Sequence, residues 1–114
     1  MALEPRHASW FTTDAASLME DYAVARVAAD PARVPEAAEP GGAHDLAYFR
    51  LHGSPRIYWS RYESAWLDGL AEQVINATRS AREVWCIFDN TASSSALPNA
   101  LELLERVDSG RSAT

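Results

Sequence analysis

Leu46-Ala47-Tyr48-Phe49-Arg50-Leu51-His52-Gly53 is the stretch on which the fold turns. In an extended chain Leu46, Tyr48, Arg50 and His52 share one face, and Ala47, Phe49 and Leu51 share the other. The Phe49–Leu51 face suits a covering layer of helices, which puts Arg50 and His52 on the inner side near the strand's carboxyl end. Three further apolar runs stop at a small polar cluster in the same way: residues 2–5 into Arg6-His7, residues 23–29 into Asp30-Pro31, and residues 84–88 into Asp89-Asn90. Short apolar segments alternating with helical patterns point to βαβ units and a parallel sheet. Ligand sites in such sheets lie beyond the carboxyl ends of the strands, where all four clusters fall.

The segments between the runs fit this order. Thr12-Thr13-Asp14 supplies a helix N-cap ahead of residues 15–22, with Leu18, Met19 and Tyr22 available for packing. Residues 30–45 carry Pro31, Pro35, Pro40 and Gly41-Gly42, which predicts loop with one turn near Glu36. A loop rich in Arg and aromatics follows Gly53-Ser54-Pro55. Residues 63–80 then place Trp66, Leu67, Leu70, Ala71, Val74 and Thr78 on one helical stripe. The last helix is expected over residues 96–107, with Leu97, Leu101 and Leu104 on its buried face, and residues 108–114 as a disordered tail. The reading is β-α-β-loop-β-α-β-α: about four parallel strands with flanking helices, half of a TIM-type (β/α) barrel.

Composition narrows the chemistry. The chain has 114 residues and a net charge of −6, enough for one domain and opposed to a broad polyanion-binding surface. Every basic side chain other than histidine is arginine, so Schiff-base chemistry and a phosphate-loop lysine are excluded. The single cysteine, Cys86, lies inside Val84-Trp85-Cys86-Ile87-Phe88 and reads as a buried small hydrophobe. No apolar stretch is long enough to span a bilayer and the N-terminus has no secretory pattern, so a cytoplasmic protein is expected.

Four spaced motifs come in order: Arg6-His7-Ala8-Ser9-Trp10-Phe11; Ala28-Ala29-Asp30; Tyr48-Phe49-Arg50-Leu51-His52-Gly53-Ser54 with Tyr58 and Tyr62; and Phe88-Asp89-Asn90-Thr91-Ala92 with Asn99-Ala100. Together they resemble the C-terminal half of the YecE-like proteins, domain-of-unknown-function family 72, over roughly residues 3–105. The resemblance implies a TIM-type barrel, bacterial and archaeal occurrence, and no established activity, and the sequence assigns no cofactor. Three departures stand out. The family's N-terminal half is missing, Pro5 replaces an aromatic or aliphatic residue, and Ser94 replaces a glycine.

The strand-end residues supply the candidate site. Arg6 and Arg50 can hold a phosphate or carboxylate through forked hydrogen bonds, with Trp10, Tyr58, Asp89 and Asn90 as further ligand-binding candidates. His52, Asp30 and His7 are the candidates for proton transfer. Alternation also places Arg26 and Asp30 on one face of the second strand and Glu4 and Arg6 on one face of the first. If all face inward, Glu4, Arg26 and Arg50 form an interior layer that must ion-pair. The alternative role for Arg6 and Arg50 is to neutralise Glu4, Asp30 and Asp89. His7, His52, Asp30 and Asp89 are metal-ligand types without compact spacing, and the arginines oppose a cation, so no metal is assigned.

Three functional readings follow. The first is a barrel half that binds or processes a small anionic or sugar-like ligand, with a homodimer completing the barrel because a half barrel leaves two open edges. Pro5 counts mildly against that closure. The second is a truncated, non-functional remnant or a fragment of a longer barrel protein. The third is a phosphoester- or nucleic-acid-processing barrel using Arg and aromatic stacking, against which the acidic charge weighs.

Overall fold

A two-sided sheet forms wherever alternating residues meet helices on one face only. The computed structural model describes residues 1–112. Its strands are β1 (Ala2–Leu3), β2 (Ala25–Arg26), β3 (Ala28–Asp30), β4 (Gly41–Gly42), β5 (Leu46–Leu51) and β6 (Glu83–Phe88). Its α-helices are α1 (Thr13–Asp21), α2 (Ser64–Thr78) and α3 (Ala96–Ser112), with 3-10 turns at Ala8–Phe11 and Pro35–Ala38. The expected second strand is broken at Val27 into β2 and β3. β2 lies parallel to β1, and β3 lies parallel to β5. β5 is parallel to β6 along its whole length, from Leu46 opposite Glu83 to Leu51 opposite Phe88.

The structure is thus mixed α/β, with two three-stranded sheets ordered β1-β2-β4 and β3-β5-β6. One strand departs from the parallel expectation. Gly41-Gly42, read as a chain breaker, pairs antiparallel with Ala25-Arg26. Glycine is what permits it: a Cβ at Gly41 would meet the Arg26 guanidinium at 2.6 Å, and one at Gly42 would meet the Val24 carbonyl at 2.4 Å. Gly42 also has φ +67°, which glycine adopts without strain.

Ala47, Phe49 and Leu51 are buried, as their alternation requires, together with Ala28 on the neighbouring strand. Leu67, Leu70, Ala71 and Val74 of α2 cover them, and Leu103 and Val107 of α3 complete the cluster. Burying a side chain such as Phe49 or Leu67 is worth about 1.5–3 kcal/mol, so this outer face holds the sheet in place. Thr12 caps α1 by accepting from the Ala15 N–H, as its sequence position predicts.

The last helix differs from expectation in two respects. Leu97, Leu101 and Leu104 are 69%, 56% and 56% exposed, not buried. The buried stripe is Asn99-Leu103-Val107, one turn apart at each step. A polar residue, Asn99, sets that rotation. Its Oδ1 accepts from the Tyr62 N–H at 2.9 Å and from Asn90 Nδ2 at 2.9 Å, while its Nδ2 donates to the Tyr62 carbonyl at 3.1 Å. The helix also continues past residue 107 to Ser112, so 108–112 are helical. Gly110 allows this, because a Cβ there would strike Ile75 Cδ1 at 2.4 Å. Residues 113–114 of the expected tail lie outside the described residues.

Replacing Asn99 with Ala leaves the buried N–H and C=O of Tyr62 without these partners and takes from the Asn90 amide one of its two acceptors, the Ser60 carbonyl remaining. Urea denaturation should show a loss of about 2–4 kcal/mol, since each orphaned buried group costs about 1–3 kcal/mol. Leu103→Ala, on the buried side of the same helix, should cost about 2–5 kcal/mol.

Candidate functional site

β5 delivers two charged side chains to the inner side of the sheet, and the strands beside it supply their partners. Arg50 lies between Glu4, just past β1, and Asp89, just past β6. Its Nη1 is 3.6 Å from Glu4 Oε1, and its Nη2 donates to Asp89 Oδ2. His52 spans the same two acids. Its Nε2–H donates to Glu4 Oε2 at 3.0 Å, and its Nδ1 lies 3.2 Å from Asp89 Oδ2. The hydrogen bond to Asp89 holds the Arg50 pKa above its ordinary value against the opposing effect of burial, and the charges of Asp89 and Glu4 add to it. Three atoms of this quartet are buried and lack a hydrogen bond: Glu4 Oε1, Arg50 Nε and His52 Nδ1.

The His52 side chain is nearly buried, and the Tyr58 ring meets it edge-on, with centroids 5.6 Å apart. The loop that brings Tyr58 back needs two residues of positive φ, Gly53 at +102° and Tyr58 at +66°. Beside the quartet opens a cleft of about 330 Å³, lined by Glu4, Pro5, Arg6, Ala29, Arg33, His52, Ile57 and Tyr58 among others. Arg6 and Arg33 are exposed, and neither has an ion-pair or hydrogen-bond partner among the described residues. The cleft therefore combines two free guanidinium groups, a histidine fixed by a carboxylate, and an aromatic wall. Such a set can grip an anion and pass a proton.

Of the residues expected at the site, Arg6, Arg50, His52, Tyr58 and Asp89 come together. Asp30 does not join them. It pairs in register with Leu51 and so faces the outer, helix-covered side, where its Oδ2 accepts from the Tyr62 hydroxyl at 2.7 Å. That hydroxyl in turn accepts from the Gly53 N–H at 2.8 Å. Alternation grouped Arg26, Ala28 and Asp30 correctly, but their shared face is the outer one; Ala29 takes the inner side. Arg26 is accordingly absent from the interior layer. It stands 4.8 Å from the Phe11 ring centroid and donates to the carbonyls of Glu36 and Glu39, acceptors that a loop offers and a helix flank does not.

His7 caps the turn Ala8–Phe11, its Nδ1 accepting from the Ser9 N–H, and Trp10 lies within that turn. Neither lines the cleft. Asn90 is fully buried and ties the Ser60 carbonyl to Asn99, which holds the loop after β6. Tyr62 is buried and stacks on Trp66 at 4.0 Å. Arg33 and Ile57 were not anticipated, since nothing in their spacing separates them from other loop residues. Glu4 was expected as a structural ion-pair partner and also lines the cleft. Among the described residues no group of three or more His, Cys, Asp or Glu side chains is arranged to hold a metal ion. Arg50 occupies the space between Glu4 and Asp89 that a cation would need.

A family model described as "Protein of unknown function DUF72" matches residues 1–114. The chain is similar to a DUF72 family protein of Thermotoga maritima MSB8, with 25% identity, a TM-score of 0.78, and coverage of 94% of this chain and 45% of that one. It is also similar to a DUF72 family protein of Enterococcus faecalis V583, with 22% identity, a TM-score of 0.77, and coverage of 94% and 46%. A second structure of that protein gives 24%, 0.76, 94% and 48%. The chain spans under half the length of these solved structures. The comparison with curated proteins finds no match.

Two groups around this site give stability a pH dependence. Burial pushes the Cys86 thiol from 9.0 up to about 12, and burial with the hydrogen bond to Asp30 raises Tyr62 above its ordinary 10.0. Both are neutral in the folded state and ionise earlier in the unfolded chain. Their contribution is complete below pH 9.0, falls as Cys86 ionises between 9.0 and about 12, and falls further above 10.0 through Tyr62. The urea midpoint should decline across that window, and Cys86→Ala should delay the onset. A midpoint unchanged to about pH 11 contradicts this.

Proposed function

This chain belongs to the DUF72 family, and we propose that it is half of a TIM-type (β/α) barrel whose strand ends bind a small anionic or sugar-like ligand. Support for the half barrel comes from the parallel order of β1, β2/β3, β5 and β6, the helices on one face, and solved relatives about twice as long. Support for the ligand comes from the cleft. Arg6 and Arg33 would clamp the anionic group, and Tyr58 would supply a flat wall for a ring. Glu4, Arg50 and Asp89 would fix His52, the group placed to exchange a proton with the ligand.

The observation that carries this reading is the unfinished hydrogen bonding in the quartet beside the cleft. Buried polar atoms are nearly always hydrogen-bonded, yet Arg50 Nε makes no hydrogen bond, and Glu4 Oε1 and His52 Nδ1 have only the ion-pair contacts to Arg50 at 3.6 Å and Asp89 at 3.2 Å. They lie beside Arg6 and Arg33, which have no carboxylate partner among the described residues of a chain of net charge −6. A ligand carrying both an anionic group and hydroxyls would satisfy both sets.

Calorimetric titration with inorganic phosphate and with a hexose phosphate tests this. The hexose phosphate should bind more tightly, and Arg6→Ala and Arg33→Ala should each weaken it about tenfold or more, the worth of one charge-assisted hydrogen bond. Absence of binding by either compound, or binding indifferent to both substitutions, contradicts the proposal.

A further inference from the structure

The loop that carries Ile57 and Tyr58 to the cleft is pinned from below by a side chain that the ligand reading leaves unused. Tyr62 is 4% exposed, with its backbone N–H and C=O both taken by the Asn99 amide. From that fixed point its ring stacks on Trp66, and its hydroxyl reaches back nine residues to accept from the buried Gly53 N–H at 2.8 Å. The same hydroxyl donates to Asp30 Oδ2 at 2.7 Å. Burial and the bond to Asp30 raise the Tyr62 pKa above its ordinary value, so the group stays a hydroxyl and keeps both bonds. Gly53 follows His52 directly and turns the chain with φ +102°, and a buried N–H left there without an acceptor is costly. Beyond it, Tyr58 takes a φ of +66°, which a bulky residue adopts only where its surroundings hold it. They do: the Tyr58 N–H donates to the His52 carbonyl, and the Tyr58 carbonyl accepts from the Ala92 N–H at 2.9 Å. The Tyr58 ring is thereby set edge-on to His52.

We propose that Tyr62 and Asp30 are positioning residues for the cleft. They hold the turn at Gly53, and through it they set where His52 stands and where the Tyr58 ring forms the wall for a ligand's ring; the inference rests on the ligand reading above. Neither residue lines the cleft, so both act through the loop. The choice of tyrosine follows from this arrangement. Phenylalanine would fill the same space and stack on Trp66, but only a hydroxyl can accept from Gly53 while donating to Asp30. Arg6 and Arg33 sit on the segments after β1 and β3, outside the loop. The tether therefore governs recognition of the ring and leaves the grip on the anion alone. That makes Tyr62 a determinant of specificity for a ring-bearing phosphate over phosphate itself.

Tyr62→Phe tests this by calorimetric titration and by the nitrogen resonances of the His52 ring. Hexose phosphate should bind about fivefold more weakly than to the wild type, the worth of one aromatic contact, while inorganic phosphate binds unchanged. The two ring nitrogens of His52 should shift, which a loss of stability alone would not cause. Asp30→Asn keeps an oxygen for the Tyr62 hydroxyl and should retain the wild-type preference and resonances. Asp30→Ala should repeat the Tyr62→Phe result and serves if that variant misfolds. Equal weakening of both compounds, an unchanged preference, or unmoved His52 resonances overturns the proposal. A wild type that binds neither compound overturns the ligand reading, and the His52 resonances then decide the positioning role by themselves.

Discussion

Arg50 between Glu4 and Asp89 is the interaction on which the inner side of this protein depends. The two carboxylates come from the strands on either side of β5, and without a cation between them they would face each other across the sheet. Arg50 removes that repulsion and links the ends of β1, β5 and β6. His52 completes the ring from two residues further along, with one ring nitrogen toward each acid. The same alternation that sends Arg50 and His52 inward sends Phe49 and Leu51 outward into the helices. The apolar side anchors β5, and its anchored position gives the charged side a fixed geometry.

Much of this was legible in the sequence because one face of β5 is strongly apolar and the other is not. The presence of α1 and α2, though not their exact ends, the run of β6, and the common inner side of Arg50 and His52 follow from period and position. The errors have specific causes. In the second strand, Arg26, Ala28 and Asp30 alternate with Ala25, Val27 and Ala29, and neither set is plainly apolar, so the pattern fixes the grouping but not the side. In α3 the buried stripe includes Asn99, whose amide is worth burying only because the Tyr62 backbone and Asn90 meet it. Hydrophobicity alone favours Leu97, Leu101 and Leu104, the wrong face. Arg33 enters the cleft through a proline-rich loop whose path no periodicity records.

The polar interior shows two kinds of work. Asn90, Asn99, Tyr62 and Asp30 form a scaffold behind the sheet: Asn99 holds Tyr62, and the Tyr62 hydroxyl connects Asp30 with Gly53. Because Gly53 follows His52 directly, this scaffold also fixes where the histidine stands. The inner quartet borders a cleft with two arginines that have no ion-pair partner among the described residues. The outer side has gaps as well, since Asn90 Oδ1 and Arg26 Nε are buried without a hydrogen bond, but only the gaps of the quartet lie beside the cleft. Membership of the DUF72 family accounts for the fold, and the quartet gives that fold a place where chemistry can be sought.

The central claim is that Glu4, Arg50, His52 and Asp89 act as one unit beside the cleft, which Glu4 and His52 line, and the nitrogen resonances of the His52 ring test it most directly. Long-range proton–nitrogen spectra should show the proton on Nε2, facing Glu4. Both Glu4→Gln and Asp89→Asn should move the two ring nitrogens. Ring resonances that ignore both substitutions, or a neutral ring with its proton on Nδ1, would contradict the account.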